Sequence, residues 1–441
     1  METSKSFFQK HSVIVKISMI AVLTLLMLIP VNMVQSLIRE REENKTIVQE
    51  EISDKWGGQQ RLVGPVLVLP YKTRIAEGNP IVVKYAYFLP DEYSIEGEIK
   101  PEERSRGIYQ VLCYQSLMQV RGKFNFPDYE KLNLSADQIQ WEDAFLLVGV
   151  PALQGIKNKI DFNVNGKSLD ILASVAPNDL MNSGLTVKMP LNPADIKEAY
   201  NFNFDLALNG TDGLYFAPIG KHTSIHMKSE YKTVTFIGDF LPNSRKIDQL
   251  GFDAQWEIFD YNRNYAQMWI GQNSGISDSL LGVDLLLPVD QYQKTMRSAK
   301  YAIMFIVLTF VVFFMVELLN RKRIHPVQYL LVSFALVLFY SLLLALSEYI
   351  GFEWSYLISA LAIVSLITSY SYSIFKSKKQ ASFMGVFLCI LYVFLYVILQ
   401  LEDMALLLGS AGLFITLAIV MYVSRKVDWY KEDDRVEQSL N

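Results

Sequence analysis

The sequence predicts a membrane α-helical bundle of six spans joined to a large, mainly-β domain, antiparallel and sandwich-like. Three observations carry this. Hydrophobic residues make up 51% of the 441 residues and charged residues only 20%, with a mean hydropathy of +0.20; a soluble domain averages about 25% charged. Six apolar runs are long enough to cross a hydrocarbon core about 30 Å thick, which takes about 20 helical residues. Residues 36–300 contain no such run and repeatedly alternate apolar with polar side chains. This composition excludes a disordered chain. The net charge of −4 gives no basic field for nucleic acid. Two cysteines, Cys113 in a polar region and Cys389 in an apolar run, cannot make a disulfide framework.

The first run, 13–33, reads as an uncleaved anchor. It is longer than a usual signal core, and Val34, Gln35 and Ser36 make a poor cleavage site. After it, 37–56 reads as an amphipathic helix with Val48, Ile52 and Trp56 on one face, stopped by Gly57 and Gly58. Period-two patterns follow. Tyr200, Phe202, Phe204, Leu206 and Leu208 alternate, as do Phe252, Ala254, Trp256 and Ile258. Ile160, Phe162 and Val164 alternate up to Asn165-Gly166, and Leu169 and Ile171 resume beyond it; Asn-Gly there signals a hairpin. Asn192-Pro193 can cap and open one short helix. The expectation is two packed sheets or two small sandwiches.

The remaining runs are 301–319, 328–347, 354–375, 383–399 and 404–423. Short-loop charge orients them. Arg321, Lys322 and Arg323 follow one run, Lys376, Lys378 and Lys379 another, and Arg425 and Lys426 the last. The turns between carry Glu348, Glu353, Glu402 and Asp403 and no Lys or Arg. Both termini are therefore expected in the cytoplasm and residues 36–300 on the outer side. The domains are then a cytoplasmic N-terminus with its anchor (1–35), the outer β-rich domain (36–300), a five-helix transmembrane bundle (301–423) and a cytoplasmic tail (424–441).

Candidate chemistry is sparse. His222 and His226 lie four apart, a zinc spacing on a helix. The context is a strand, where both fall on one solvated face with Ser224, Lys228 and Glu230, and no third ligand has a recognisable spacing. Cys113 sits in an alternating pattern as a small packed side chain. Glu317, Glu348, Glu353 and Glu402 fall at run ends or in turns, near water, which weighs against an ion pathway. Ser365, Ser369 and Ser373 share one helix face, as small residues do where helices pack closely; Ala405, Gly409 and Gly412 form a second such set. A substrate path is the sharper alternative for both. No Walker loop, dinucleotide fingerprint or nucleophile elbow is present. The reading is therefore no catalytic, cofactor or metal residue, no small-molecule substrate and no enzyme.

Two legs flank the outer domain. The second, 291–300, carries Tyr292, Met296 and Ala299 on one face, continued by Ile303, and reads as a helix running straight into the second span. Its Lys294, Arg297 and Lys300 oppose the acidic first leg, 36–56, and the two legs are expected to pair, a contact that cysteines at Glu43 and Arg297 would test. Contact with lipid phosphates is the alternative.

The stretch from Trp56-Gly57-Gly58-Gln59-Gln60-Arg61 through Gly64-Pro65 to Pro70-Tyr71 resembles the CreD family of bacterial inner-membrane proteins. So do Arg106-Gly107-Ile108-Tyr109, residues 213–221, residues 288–302, Val316-Glu317, residues 323–330 and residues 346–348, in order along nearly the whole chain. The resemblance implies a cell-envelope-integrity protein of the inner membrane, with its large domain periplasmic. It also implies ties to a two-component regulatory system and to envelope or β-lactam stress. It implies no enzyme activity, cofactor or catalytic residue. The expected partners are the lipid bilayer and other envelope proteins. The alternative is a transporter-like bundle with a periplasmic accessory domain.

Overall fold

The computed structural model describes residues 12–74, 80–173, 180, 182–195, 199–271, 275–286, 291–320, 324–401 and 404–425. The chain divides into two compact units. One is Thr46–Pro288, the β unit; the other combines Met1–Lys45 with Val289–Asn441, the helical unit.

Helix α1 (Ser12–Trp56) is one continuous helix of 45 residues that includes Pro30. The anchor and the predicted amphipathic helix are thus a single element, because no Gly or Pro interrupts residues 31–56. It stops where predicted. Gly57 and Gly58 take φ of +133° and +62°, and both amides donate to the Ser53 carbonyl, at 2.9 and 2.8 Å. A Cβ on Gly57 would lie 2.6 Å from the Asn209 carbonyl oxygen.

In the β unit the strands are β1 (Gln60–Arg74), β2 (Ile81–Phe88), β3 (Glu92–Arg106), β4 (Tyr109–Phe124), β5 (Phe145–Gly149), β6 (Phe162–Val164), β7 (Lys167–Leu169), β8 (Ile171–Leu172), β9 (Gly184–Lys188), β10 (Tyr200–Thr211), β11 (Gly213–Phe216), β12 (His222–Ser229), β13 (Val234–Gly238), β14 (Ser244–Asp248), β15 (Gly251–Phe259), β16 (Met268–Ile270) and β17 (Leu281–Leu285), with one short helix, α2 (Gly275–Asp278). One sheet runs β13-β17-β11-β1-β5-β9-β8, with β2 on β1 and β16 on β2; the other runs β14-β15-β12-β3-β4-β10-β6-β7. The alternating sets turn one face inward. Phe202, Phe204, Leu206 and Leu208, and Phe252, Ala254, Trp256 and Ile258, are buried in one apolar core that also takes Leu62, Leu67 and Leu69 from β1. The Asn-Gly hairpin forms as expected: β6 pairs β7 with Val164 opposite Lys167, and Asn165 and Gly166 take φ of 50° and 79°. Pro193–Asp195 forms a single 3-10 turn, and Asn192 Oδ1 accepts from Ala194 N at 3.1 Å.

The sheets are mixed rather than purely antiparallel. β1 pairs β11 in parallel (Gln60 opposite Leu214), and β3 pairs β12 in parallel (Ile95 opposite Ile225). Side-chain alternation fixes which face of a strand is buried. It carries no information on the direction of a distant partner.

The helical unit holds α3 (Gln291–Lys300), α4 (Ala302–Leu319), α5 (Pro326–Ile350), α6 (Phe352–Phe375), α7 (Lys378–Gln400) and α8 (Ala405–Ser424). Among the described residues, four helices are long and apolar enough to cross a membrane: α1, α5, α6 and α7. The bent pair α3–α4 brings the number to five. Helix α8 covers the sixth predicted run. The second leg does not run straight into its span: α3 and α4 meet at 41°. There Tyr301 N donates to Ser298 O, three residues back, at 3.1 Å, so one tight turn interrupts the ladder. The predicted face of α3 is buried at Tyr292 and Ala299.

Candidate functional site

Two carboxylates organise the helical unit. Glu317, in the last turn of α4, is only 4% exposed. It accepts from Ile324 N at 2.9 Å and from the Tyr329 hydroxyl at 2.9 Å, and it pairs with the Lys16 ammonium. One residue thus ties α1, α4, the chain entering α5 and the first turns of α5. His325 sets that entry: its Nδ1 accepts from Val327 N at 3.3 Å, and its own N–H donates to Gln328 Oε1 at 3.0 Å. At the far end of α5, Glu348 accepts from the Tyr292 hydroxyl at 3.1 Å, and Arg41 Nε lies 3.9 Å from the same oxygen. Lys16 and Arg41 are 25 residues apart on one helix, about 37 Å at 1.5 Å per residue. Carboxylates from the bundle therefore hold α1 at two points, Lys16 and Arg41. A third contact joins the legs, from Gln35 Nε2 to the Ala299 carbonyl at 3.2 Å.

This corrects the expectation that all four glutamates lie near water. Glu353 is exposed, and Glu402 lies outside the described residues. The Glu317 side chain is covered, and the Glu348 side chain is 9% exposed. Position along a helix gives depth; it does not show which later residues fold back over the carboxylate.

The small-residue stripe on α6 is also corrected. Ser365, Ser369 and Ser373 are exposed, and the buried stripe of α6 is Ser355, Ser359 and Ser371. Both series step by multiples of four, and burial by the neighbouring residues is what separates them. Ser365 and Ser369 instead line a shallow outward groove with Leu338, Leu342 and Leu366. On α8 the glycines do face neighbours. A Cβ on Gly412 would lie 2.1 Å from the Phe394 ring, and one on Gly409 would lie 4.0 Å from the Tyr301 ring. Between α4, α5, α6 and α7 the space is filled by rings. Tyr392 lies 5.6 Å from Phe305, 4.6 Å from Phe339 and 6.5 Å from Tyr356. The Tyr356 hydroxyl donates to the Tyr392 carbonyl at 2.7 Å.

In the β unit, His222 and His226 lie on the outer face of β12, as read from the sequence. Four strand residues separate their rings by about 13 Å, so they share no ligand position. His222 stacks on Phe259 at 4.9 Å. His226 Nε2 lies 3.1 Å from both carboxylate oxygens of Asp253. Cys113 is fully buried, and burial pushes its thiol up to about 11; Cys389 is exposed on α7.

A polar cluster of the β unit was not legible as a site. The Tyr215 hydroxyl donates to Asp284 and accepts from Gln59 Nε2 at 2.6 Å. Burial first, and the Asp284 carboxylate second, hold the phenol well above its ordinary value. A Cβ on Gly213 would lie 2.5 Å from both Asp284 Oδ1 and the Tyr215 hydroxyl, which explains glycine there. Next to it Asp212, at φ +63°, accepts from Thr211 Oγ1 at 3.1 Å. Asp212 opens to solvent, yet the protein packed around it and the nearby Asp284 raise its carboxyl. The cluster joins the block 56–61 to the block 213–221, both of which carry the family resemblance. That coincidence was the available signal; Asp284 lies in neither block.

The described structure is thus that of a multi-span helical membrane protein carrying a large mixed-sheet domain. A family model described as "Inner membrane protein CreD" matches residues 12–430. The Escherichia coli protein "Inner membrane protein CreD" is 33% identical over 415 residues, covering 92% of this chain and 91% of that one. The chain belongs to the CreD family of inner membrane proteins. Among solved structures, an M1 zinc metallopeptidase from Deinococcus radiodurans is 8% identical over 48% of this chain and 53% of its own, with a TM-score of 0.21. A substrate-bound mutant of an M1 peptidase from the same organism gives 9% identity over 38% of this chain and 39% of its own, with a TM-score of 0.18. Scores this low carry no argument about fold or activity.

Proposed function

We propose that this protein supports envelope integrity, and the response to envelope and antibiotic stress, through its β unit, without catalysis. The observation that carries the reading is the CreD match, which runs through both units. The alternation of basic and acidic short loops supports six spans with both termini cytoplasmic and the β unit in the periplasm. The ring-filled interior of the bundle supports a scaffold over a transport path. The partners are the bilayer itself and other envelope proteins.

The test is a deletion strain exposed to β-lactam and to detergent, complemented with the full chain. Altered sensitivity, restored by the chain, supports the reading; normal sensitivity in the deletion overturns it. Topology is tested separately, in a chain lacking Cys113 and Cys389. Lys378→Cys should stay protected from an impermeant thiol reagent, and Lys228→Cys should react; the reverse pattern contradicts the orientation.

A further inference from the structure

The outer face of β12 carries three rings that take no part in the apolar core. His222 stacks on Phe259, its cross-strand neighbour on β15, at 4.9 Å and 20°. Phe259 stacks in turn on Tyr261, in the turn after β15, at 5.3 Å and 6°. All three near-parallel rings are exposed, Tyr261 to 77%. Rings left in water gain nothing from the hydrophobic effect, and a contiguous exposed apolar patch marks a contact site. Phe259 backs one face of Tyr261, so the other face is held in place and open. Further along the same outer face, a groove of about 540 Å³ crosses β12, β3, β4 and β10. Glu96, Gln119, Asp205, His226 and Lys228 line it, with Leu117, itself 43% exposed. Lys228 lies six strand residues from His222, about 20 Å. Between the rings and the groove Ser224 faces Ser94, so only short side chains of β12 and β3 separate the two.

The groove offers both kinds of polar group. No ion pair among the described residues includes Glu96, Asp205 or Lys228. Gln119 Oε1 accepts from Arg121 Nη2 at 2.7 Å, which leaves its amide nitrogen to donate outward. Carboxylates accept from sugar hydroxyls, and an ammonium and an amide N–H donate to them. The aliphatic C–H face of a pyranose packs on the negative face of an aromatic ring. An anionic polymer would instead meet the carboxylates of Glu96, Glu98 and Asp205. Among the described residues no three His, Cys, Asp or Glu side chains are placed to hold a metal ion. We infer that this face of the β unit binds a neutral glycan chain, with one sugar ring on Tyr261 and the hydroxyls of later rings in the groove. The inference deepens the envelope reading above and rests on it for where such a chain is met.

The experiment uses the full chain in a detergent without a sugar headgroup. Isothermal titration is run with chitotetraose and with maltotetraose, two neutral pyranose chains, and with trilysine as a cationic probe. At least one glycan should bind, and a preference for one identifies the sugar type. Tyr261→Ala should weaken that binding about fivefold, the worth of one ring contact, and Asp205→Ala should weaken it as well. Both side chains are exposed, so neither change should move the thermal midpoint. Lys246→Ala, on the exposed edge strand β14, should leave binding unchanged. No binding of either glycan overturns the inference, and so does equal binding by wild type and Tyr261→Ala. Binding of trilysine alone makes the face a cation site and also overturns it. The deletion phenotype is read in cells, so a chain that binds no glycan removes this inference and leaves the envelope reading to its own test.

Discussion

Trp256 in the β unit and Glu317 in the helical unit are 0% and 4% exposed, for opposite reasons. Around Trp256 the alternative to burial is water, so burying the ring is itself the driving force. Its indole N–H is satisfied by the Phe240 carbonyl at 3.2 Å, and the ring packs on Phe236 at 5.8 Å. Among the helices the alternative is lipid, which is as apolar as a leucine side chain, so burial alone gives little attraction. Helix α1 packs a narrow stripe of Met27, Val31, Val34 and Ile38 and leaves Val22, Leu25, Ile29 and Met33 outward. What fixes it is polar: Lys16 on Glu317 and Arg41 on Glu348. One unit is held by its apolar centre, the other by two polar pins on α1.

Mutations in each unit can break that contrast. The largest expected effect is Trp256→Ala, which removes the centre of the apolar core. It should destabilise the β unit by about 3–5 kcal/mol, read by denaturant titration of the full chain in detergent. A loss under 1 kcal/mol would mean the two sheets do not depend on this core. Next is Glu317→Gln. The amide oxygen can still accept from Ile324 N, and its NH2 can donate to the Tyr329 hydroxyl where the second carboxylate oxygen accepted from it, but the charge facing Lys16 is gone. The expected loss is about 1–3 kcal/mol, and proteolysis near the N-terminus should quicken with no change in the β unit's unfolding.

The smallest effect is electrostatic. Surrounding protein and Asp284 raise the Asp212 carboxyl, so the folded state binds that proton more tightly than the unfolded chain. Its stabilising contribution is full below the ordinary carboxylate value and is lost as pH rises through the raised value. Asp212→Asn keeps an acceptor for Thr211 and tolerates the left-handed backbone. It should therefore stabilise the β unit at pH 7, by about 0.5 kcal/mol or less because the carboxyl opens to water. The gain should vanish at acid pH. A gain independent of pH would assign the effect to the backbone.

Much of the β unit was legible in the sequence. The alternation over Tyr200–Leu208 and Phe252–Ile258, the Asn-Gly turn and the stop at Gly57-Gly58 each follow from local chemistry. Direction of pairing did not, because β1 with β11 and β3 with β12 join strands more than a hundred residues apart. In the helical unit the apolar runs were legible as helices, but their inward faces were not. Ser365 and Ser359 belong to equally good small-residue series, and only the neighbouring helices decide which one is covered. Two partners of the Glu317 pin, Ile324 and Tyr329, follow it by 7 and 12 residues, but Lys16 lies 301 residues away, so no single stretch announced the pin.

Exchanging the charges of the pin tests its role most directly. The chains compared are wild type, Lys16→Glu, Glu317→Lys and the double exchange, with thermal midpoints measured in the same detergent. Each single change places like charges together and should lower the midpoint clearly. The double exchange restores the charge pair but no acceptor for Ile324 N or the Tyr329 hydroxyl, so it should be more stable than the two losses added by a coupling of about 0.5–3 kcal/mol. Single variants that unfold like wild type, or a double variant as unstable as the two losses added, would contradict an α1 held by this pair.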